Sequence, residues 1–199
     1  MTKCNFGKFK HKCDIHKIGS SSYKMHNSEM LLREFNLKKG DNVLDLGSGP
    51  GDYSIEISKL IGNEGQVISI DKDKDVIEYL NERIIKNNIQ NIKTFVANIK
   101  EKIPLKDNSI DICVIITVLH TLNIKKIGND FFSEVKRVLK PNGHLITIDV
   151  KKKDMGFGPP LNMRISSDEL EEIVEFVGFK KERFVDLNYN YMMEFRINK

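Results

Sequence analysis

The 199-residue chain has no apolar run approaching the ~20 residues that a membrane-spanning helix needs. An integral membrane protein is therefore not expected. Its first residues, MTKCNFGKFKHKC, lack the apolar stretch of a secretory leader, so the expected location is cytoplasmic. Three cysteines are too few for a disulfide framework. No internal repeat and no low-complexity segment is visible. Two nucleotide-phosphate signatures are also missing. The glycine-rich stretch VLDLGSGPGDYSIEIS (43–58) does not fit G-x-G-x-x-G: the sixth position is Asp52 counted from Gly47 and Ser54 counted from Gly49. It also has no Gly-Lys-Ser/Thr ending of a phosphate loop.

What is present fits one ordinary globular domain, with 40% apolar and 30% charged residues. The net charge of +4 is modest but unevenly spread. Residues 1–24 hold six lysines, two histidines and a single acid, Asp14. The chain is therefore divided into a basic N-terminal arm, 1–27, and a folded domain, 28–199. Such an arm could meet an anionic substrate, an RNA or a membrane surface, or simply remain solvated. It also carries Cys4, His11, Cys13 and His16. Two thiolates and two imidazoles could bind zinc, but the C-x6-H-x-C-x2-H spacing is not that of a standard finger. The expectation is no metal.

From residue 28 onward short apolar runs alternate with amphipathic stretches. Helical patterns cover 28–36, 51–61, 73–86, the segment around Phe131–Leu139, and the stretch after the Ser166/Glu169 capping box. Pro141-Asn142-Gly143 is the expected stop of the fourth helix. Strand patterns cover 42–46, 66–70, 91–97, 111–119, 144–150, 180–187 and 190–197. The order is mostly β-α-β-α, which implies an α/β doubly wound, mostly parallel, Rossmann-like sheet with helices on both faces. The last two strands are close enough in sequence to pair antiparallel. Ligands in such sheets bind past the carboxyl ends of the strands, where strand order reverses. The glycine stretch sits there.

The charges near that turn favour a cationic ligand over a pyrophosphate. Asp45 precedes the first glycine by two residues, Asp52 follows the last, and no Lys or Arg stands in the turn. Asp71, directly after QVISI, can accept hydrogen bonds from ribose hydroxyls, although Asp71, Asp73 and Asp75 are rival caps for the next helix. Asn98 ends the third strand with an amide that could meet an adenine edge, or close a turn.

VLDLGSGPG, VISID, FVANI, IPLKDNSIDICVIITVLHTL and VLKPNGHLITID stand in one order over about residues 28–150. In this the chain resembles the class I S-adenosylmethionine-dependent methyltransferases, most of all the quinone-biosynthesis-type and related small-molecule enzymes. The resemblance implies a seven-stranded sheet with an antiparallel closing strand. It implies S-adenosyl-L-methionine as cofactor and S-adenosyl-L-homocysteine as product. Asp45, Gly47, Ser48, Gly49 and Gly51 would hold the methionine half. Asp71 would take the ribose with Lys72 beside it, and Asn98, assisted by Ile99, would meet the adenine. Asn98 departs from the Asp often found there. Thr117 and the residues up to His120 would lie beside the reactive methyl.

His120 is the candidate base or orienting residue, since it follows an apolar strand at the mouth of the site. A packing role would also explain it. Tyr23 and Arg164 are candidate substrate contacts, with a surface anchor and a surface arginine as the plain readings. The Asn/Asp-Pro-Pro-Tyr tetrapeptide of amino-group methylases is absent after the fourth strand. The expected acceptor is a small molecule. RNA or protein methylation, suggested by the arm and Lys151–Lys153, is the second reading. A non-catalytic domain that binds cofactor or metal is the third.

Overall fold

The computed structural model describes Tyr23 and residues 28–198. The rest of the basic arm, with Cys4, His11, Cys13 and His16, lies outside the described residues. Among the described residues no three His, Cys, Asp or Glu side chains gather as a metal site. No helix among them is long and apolar enough to cross a membrane.

The elements follow the alternation read from the sequence: α1 (Ser28–Glu34), β1 (Asn42–Leu46), α2 (Asp52–Ile61), β2 (Gln66–Asp71), α3 (Lys74–Lys86), β3 (Ile92–Val96), β4 (Ile110–Ile116), α4 (Ile124–Val138), β5 (Leu139–Val150), α5 (Ser167–Phe176), β6 (Phe179–Leu187) and β7 (Asn190–Ile197). The strands form one seven-stranded sheet in the order β3-β2-β1-β4-β5-β7-β6. All pairings are parallel except those of β7, which runs antiparallel to both β5 and β6. The order reverses between β1 and β4, so the crevice past their carboxyl ends is the expected ligand site.

The two-residue period of the strands fills both faces. Leu44 and Leu46 point into a core with Phe131 and Phe132 of α4 and Leu170 and Val174 of α5. Val43 points the other way, to Leu31 and Phe35 near α1 and Ile57 and Ile61 of α2. The capping box of α5 is present, with Ser166 accepting from the Glu169 N–H and Glu169 accepting from the Ser166 N–H.

Two boundaries differ from the sequence pattern. Strand β4 stops at Ile116 rather than 119, because Thr117 takes a left-handed backbone, φ 53°. A β-branched residue disfavours that region by about 1–2 kcal/mol. The Thr117 N–H donates to Ile148 O at 2.7 Å, which holds the bend. A 3-10 turn, Leu119–Thr121, follows, and it places His120 over the end of β5. The second difference is at α4, which ends at Val138, before Pro141-Asn142-Gly143. Those three residues instead form an excursion in β5: Ile110 pairs with Leu139, but Ile112 pairs with His144. A residue before proline is driven to extended backbone, so Lys140 belongs to the strand.

Candidate functional site

Residues 47–51 connect β1 to α2 in a tight turn pinned to its neighbour strand. The N–H groups of Gly47 and Ser48 both donate to Ile70 O, at 2.8 and 3.1 Å. The three glycines serve different needs. A Cβ on Gly47 would stand 2.5 Å from Val118, and one on Gly51 would stand 2.2 Å from Leu80. A Cβ on Gly49 would meet nothing within 4 Å. Gly47 and Gly51 admit protein, whereas Gly49 borders open space. Asp71 ties the turn to α3: its Oδ2 accepts the Gly49 N–H and its Oδ1 the Asp73 N–H, both at 3.0 Å. The helix cap itself is Asp73, which accepts from the Asp75 N–H, so Asp71 remains at the rim of the crevice.

Asp45 is almost fully buried on the α2 side of β1. Its Oδ2 accepts from Ser54 Oγ at 2.5 Å, and Ser54 Oγ accepts from Ser69 Oγ at 2.9 Å. Burial pushes the Asp45 carboxyl up to about 6, against the Ser54 hydrogen bond that lowers it, and the charge of Asp71 adds to the rise. Ser54 and Ser69 were missed in the sequence. The available signal was a lone serine within an apolar strand, in register with the acid: Asp45 pairs with Ser69. Asp52 corrects the electrostatic reading of the turn. Arg83 of α3 pairs with Asp52 at 2.7 Å and donates to Pro50 O at 2.6 Å. A cation does stand at the turn, and it neutralises Asp52. The negative charge left for a ligand is that of Asp45 and Asp71.

On the far side of β2, Lys72 is exposed beside Asp71. Asn98 is exposed and occupied by its own turn. Its Oδ1 accepts the Lys100 N–H at 3.2 Å, and its amide donates to Glu101 at 3.0 Å. Ile99 is buried in the α4-side core. Thr117 is half-buried at the β4 bend.

Between the β4 bend and the loop after β5 lies a cavity of about 310 Å³, lined by His120, Asn123, Lys125, Met163 and Arg164 among others. His120 is held there by Asp149, a fully buried carboxylate at the end of β5: His120 Nδ1 lies 2.7 Å from Asp149 Oδ1, and the His120 N–H donates to Oδ2 at 3.0 Å. Asp149 was not singled out in the sequence. Lys125 is turned to Glu169 at 2.6 Å. A roomier cleft of about 1120 Å³ runs between α1 and α2 to His144 and Arg196. It lies away from the carboxyl ends of β1 and β4. Tyr23 lines that cleft, packed edge-to-face on Tyr53 at 5.1 Å, and it is not among the described residues around His120.

Arg164 is neither a surface arginine nor an open substrate contact. It is buried, and its guanidinium donates to the carbonyls of Pro159, Lys151, Lys153 and Phe157 at 2.7, 3.3, 2.5 and 2.6 Å. It organises the loop that walls the cavity. Arg164→Met should leave those carbonyls without their donor and destabilise the chain by about 2 kcal/mol. Hydrogen exchange should speed up first in 151–160, and unchanged exchange there would contradict this role.

A sequence model of the family described as "Methyltransferase domain" matches residues 37–182. The chain belongs to this methyltransferase family. A SAM-dependent methyltransferase from Aquifex aeolicus superposes with a TM-score of 0.83 at 32% identity, covering 92% of this chain and 96% of that one. Ubiquinone/menaquinone biosynthesis C-methyltransferases are also similar. The one from Azotobacter vinelandii is 29% identical over 116 residues, 58% of this chain and 45% of its own length. The one from Francisella tularensis subsp. novicida is 31% identical over 143 residues, 71% and 54%. The matched stretches thus span about half the length of these curated relatives.

S-adenosylmethionine, the cofactor this family uses, suits the residues present. The Ser48 hydroxyl oxygen is buried without a hydrogen-bond partner, the only such side-chain atom among the described residues. A buried orphan donor in a cofactor turn calls for a ligand acceptor. The open space beside Gly49 lies in the same turn. The buried Asp45 suits a cation, and the rim carboxylate of Asp71 suits paired hydroxyls.

Proposed function

We propose that this methyltransferase domain transfers a methyl group from S-adenosylmethionine to a small molecule. The observation that carries the reading is the turn after β1, where an orphan hydroxyl, an unfilled glycine edge and a buried acid converge. In this reading Asp45, Gly47, Ser48, Gly49 and Gly51 hold the methionine half. Asp71 holds the ribose with Lys72 beside it, and Asn98 with Ile99 borders the adenine. Bound there, the cofactor supplies a methyl carbon made electrophilic by its positive sulfur. The chain's own part is mainly positioning, which can lower a barrier by ~7–11 kcal/mol. The turn carrying His120 and the segment 162–165 wall the cavity. His120 stands in it as the group able to accept a proton.

By likeness to the ubiquinone/menaquinone relatives, a carbon of a quinol-type ring is the first acceptor to test. Two of the three lysines suggestive of nucleic acid are already paired, Lys151 with Asp186 and Lys152 with Glu169, which leaves the small-molecule reading ahead. The test is transfer of labelled methyl from the cofactor into fractionated cell extract. Label in the small-molecule fraction is expected. Label in RNA or protein instead would replace this reading, and tight cofactor binding with no label anywhere would point to a non-catalytic domain.

A further inference from the structure

Asp149 lies 29 residues from His120 and plays no part in the cofactor turn, yet three N–H-type contacts converge on its carboxylate. Oδ1 lies 2.7 Å from His120 Nδ1 and accepts the Val150 N–H at 2.7 Å, while Oδ2 accepts the His120 N–H at 3.0 Å. Asp149 is fully buried, and the His120 side chain is 14% exposed. A carboxylate in that setting only accepts, so the proton in the 2.7 Å contact belongs to Nδ1. The other ring nitrogen, Nε2, is then left with its lone pair.

Three polar side chains near the pair are engaged elsewhere. Lys125 pairs with Glu169. Arg164 is held by four carbonyls. Tyr191, the register partner of Asp149 across β5 and β7, donates to Ile165 O at 3.1 Å. None of them competes for the Nδ1 side. The strained bend at Thr117 is what brings the turn carrying His120 back over β5. In this way two strand ends, β4 and β5, build one imidazole–carboxylate pair at the wall of the 310 Å³ cavity.

We infer that Asp149 is a positioning residue that fixes His120 with its proton on Nδ1 and a bare Nε2, so that the site takes acceptors that arrive protonated. This rests on the methyltransferase reading above. The acceptor's O–H or C–H proton passes to Nε2. The electron pair left behind forms the bond to the transferred methyl carbon, and the methyl–sulfur pair departs with S-adenosylhomocysteine. The imidazolium so formed is stabilised by the Asp149 charge, and its proton later returns to solvent. An acceptor whose nucleophile is already a free lone pair would gain nothing from this pair.

The test is nitrogen-15 NMR of the full chain with labelled histidine at about pH 8, with S-adenosylhomocysteine present, the His120 signals being assigned by their loss in His120→Gln. The expected result is a protonated Nδ1, with its proton far downfield and slow to exchange, and an unprotonated Nε2. A protonated Nε2 would overturn the inference, and this measurement needs no acceptor. In a second arm Asp149→Asn is assayed with 1,4-naphthohydroquinone as probe. A fall in kcat of roughly a hundredfold is expected, with S-adenosylhomocysteine affinity within about twofold. If affinity and melting temperature fell together with kcat, Asp149 would be merely structural. If S-adenosylhomocysteine did not bind at all, the methyltransferase reading would fail, while the Nδ1 result would still be read separately in the free protein.

Discussion

Asp45→Asn should make the free protein more stable and its cofactor site much weaker. The carboxyl is buried and raised to about 6, so at pH 7.5 the folded chain carries a charge it disfavours. A rise of about two units corresponds to about 3 kcal/mol. Asparagine keeps an oxygen for the Ser54 hydroxyl and removes the charge. A gain of about 2 kcal/mol, or about 5 °C in melting temperature, is expected for a chain of this size. Affinity for S-adenosylmethionine should fall about a hundredfold, the scale of a lost charge-assisted hydrogen bond. The sign with pH follows from proton binding. Between about pH 4 and 6 the folded state keeps a proton on Asp45 that the unfolded state has released. This group's contribution to stability therefore falls as pH rises through that window, and the fall should be absent from the Asn variant. Thermal melts across pH 4–8 check both points. A variant that is less stable and still binds would show that Asp45 is a structural acid.

Gly51→Ala and Gly49→Ala should separate stability from binding. At Gly51 the backbone is left-handed, φ 79°, and an added methyl would lie 2.2 Å from a Leu80 that is fully buried. The left-handed backbone alone costs about 1–2 kcal/mol and overpacking about 1–3 more. Gly51 also starts α2, where its carbonyl accepts the Ile55 N–H at 2.9 Å, so a shift there moves the helix. A loss of about 3 kcal/mol is expected, seen as a drop in melting temperature of about 8 °C. At Gly49 nothing lies within 4 Å. The loss of stability should stay near 1 kcal/mol, while the methyl enters the space meant for ligand and affinity falls at least tenfold. Denaturant melts and calorimetry distinguish the two variants, and equal effects in both assays would dissolve the distinction drawn from their surroundings.

The fold was legible because strand and helix periods alternate cleanly from residue 42 to 197, and because apolar runs such as DICVIITVL fit a strand covered on both faces. Its boundaries were less so. The apolar run continues through Val118 and Leu119, and nothing in residue type announces that Thr117 turns left-handed. Leu139 has the helical spacing of α4, yet Pro141 draws the preceding residues into β5. In the site, residues adjacent in sequence were readable: the glycines, Asp45 and Asp71 lie within 27 positions of one another. Partners brought by topology were not. Arg83 reaches Pro50 from 33 residues away. Asp149 meets His120 only because β4 and β5 are neighbours, and Arg164 looks like any charged loop residue until its carbonyl partners are seen. Those pairings depend on sheet order, which local patterns do not encode.

The central claim, that the crevice between β1 and β4 holds a cationic sulfur cofactor, is tested most directly by titration calorimetry of the whole chain with S-adenosylmethionine at pH 7.5 and at pH 5. One-site binding in the micromolar range at pH 7.5 is expected, weakening by about tenfold at pH 5 as Asp45 gains its proton. Absence of heat with this ligand and with S-adenosylhomocysteine, alongside tight binding of NAD or ATP, would contradict it.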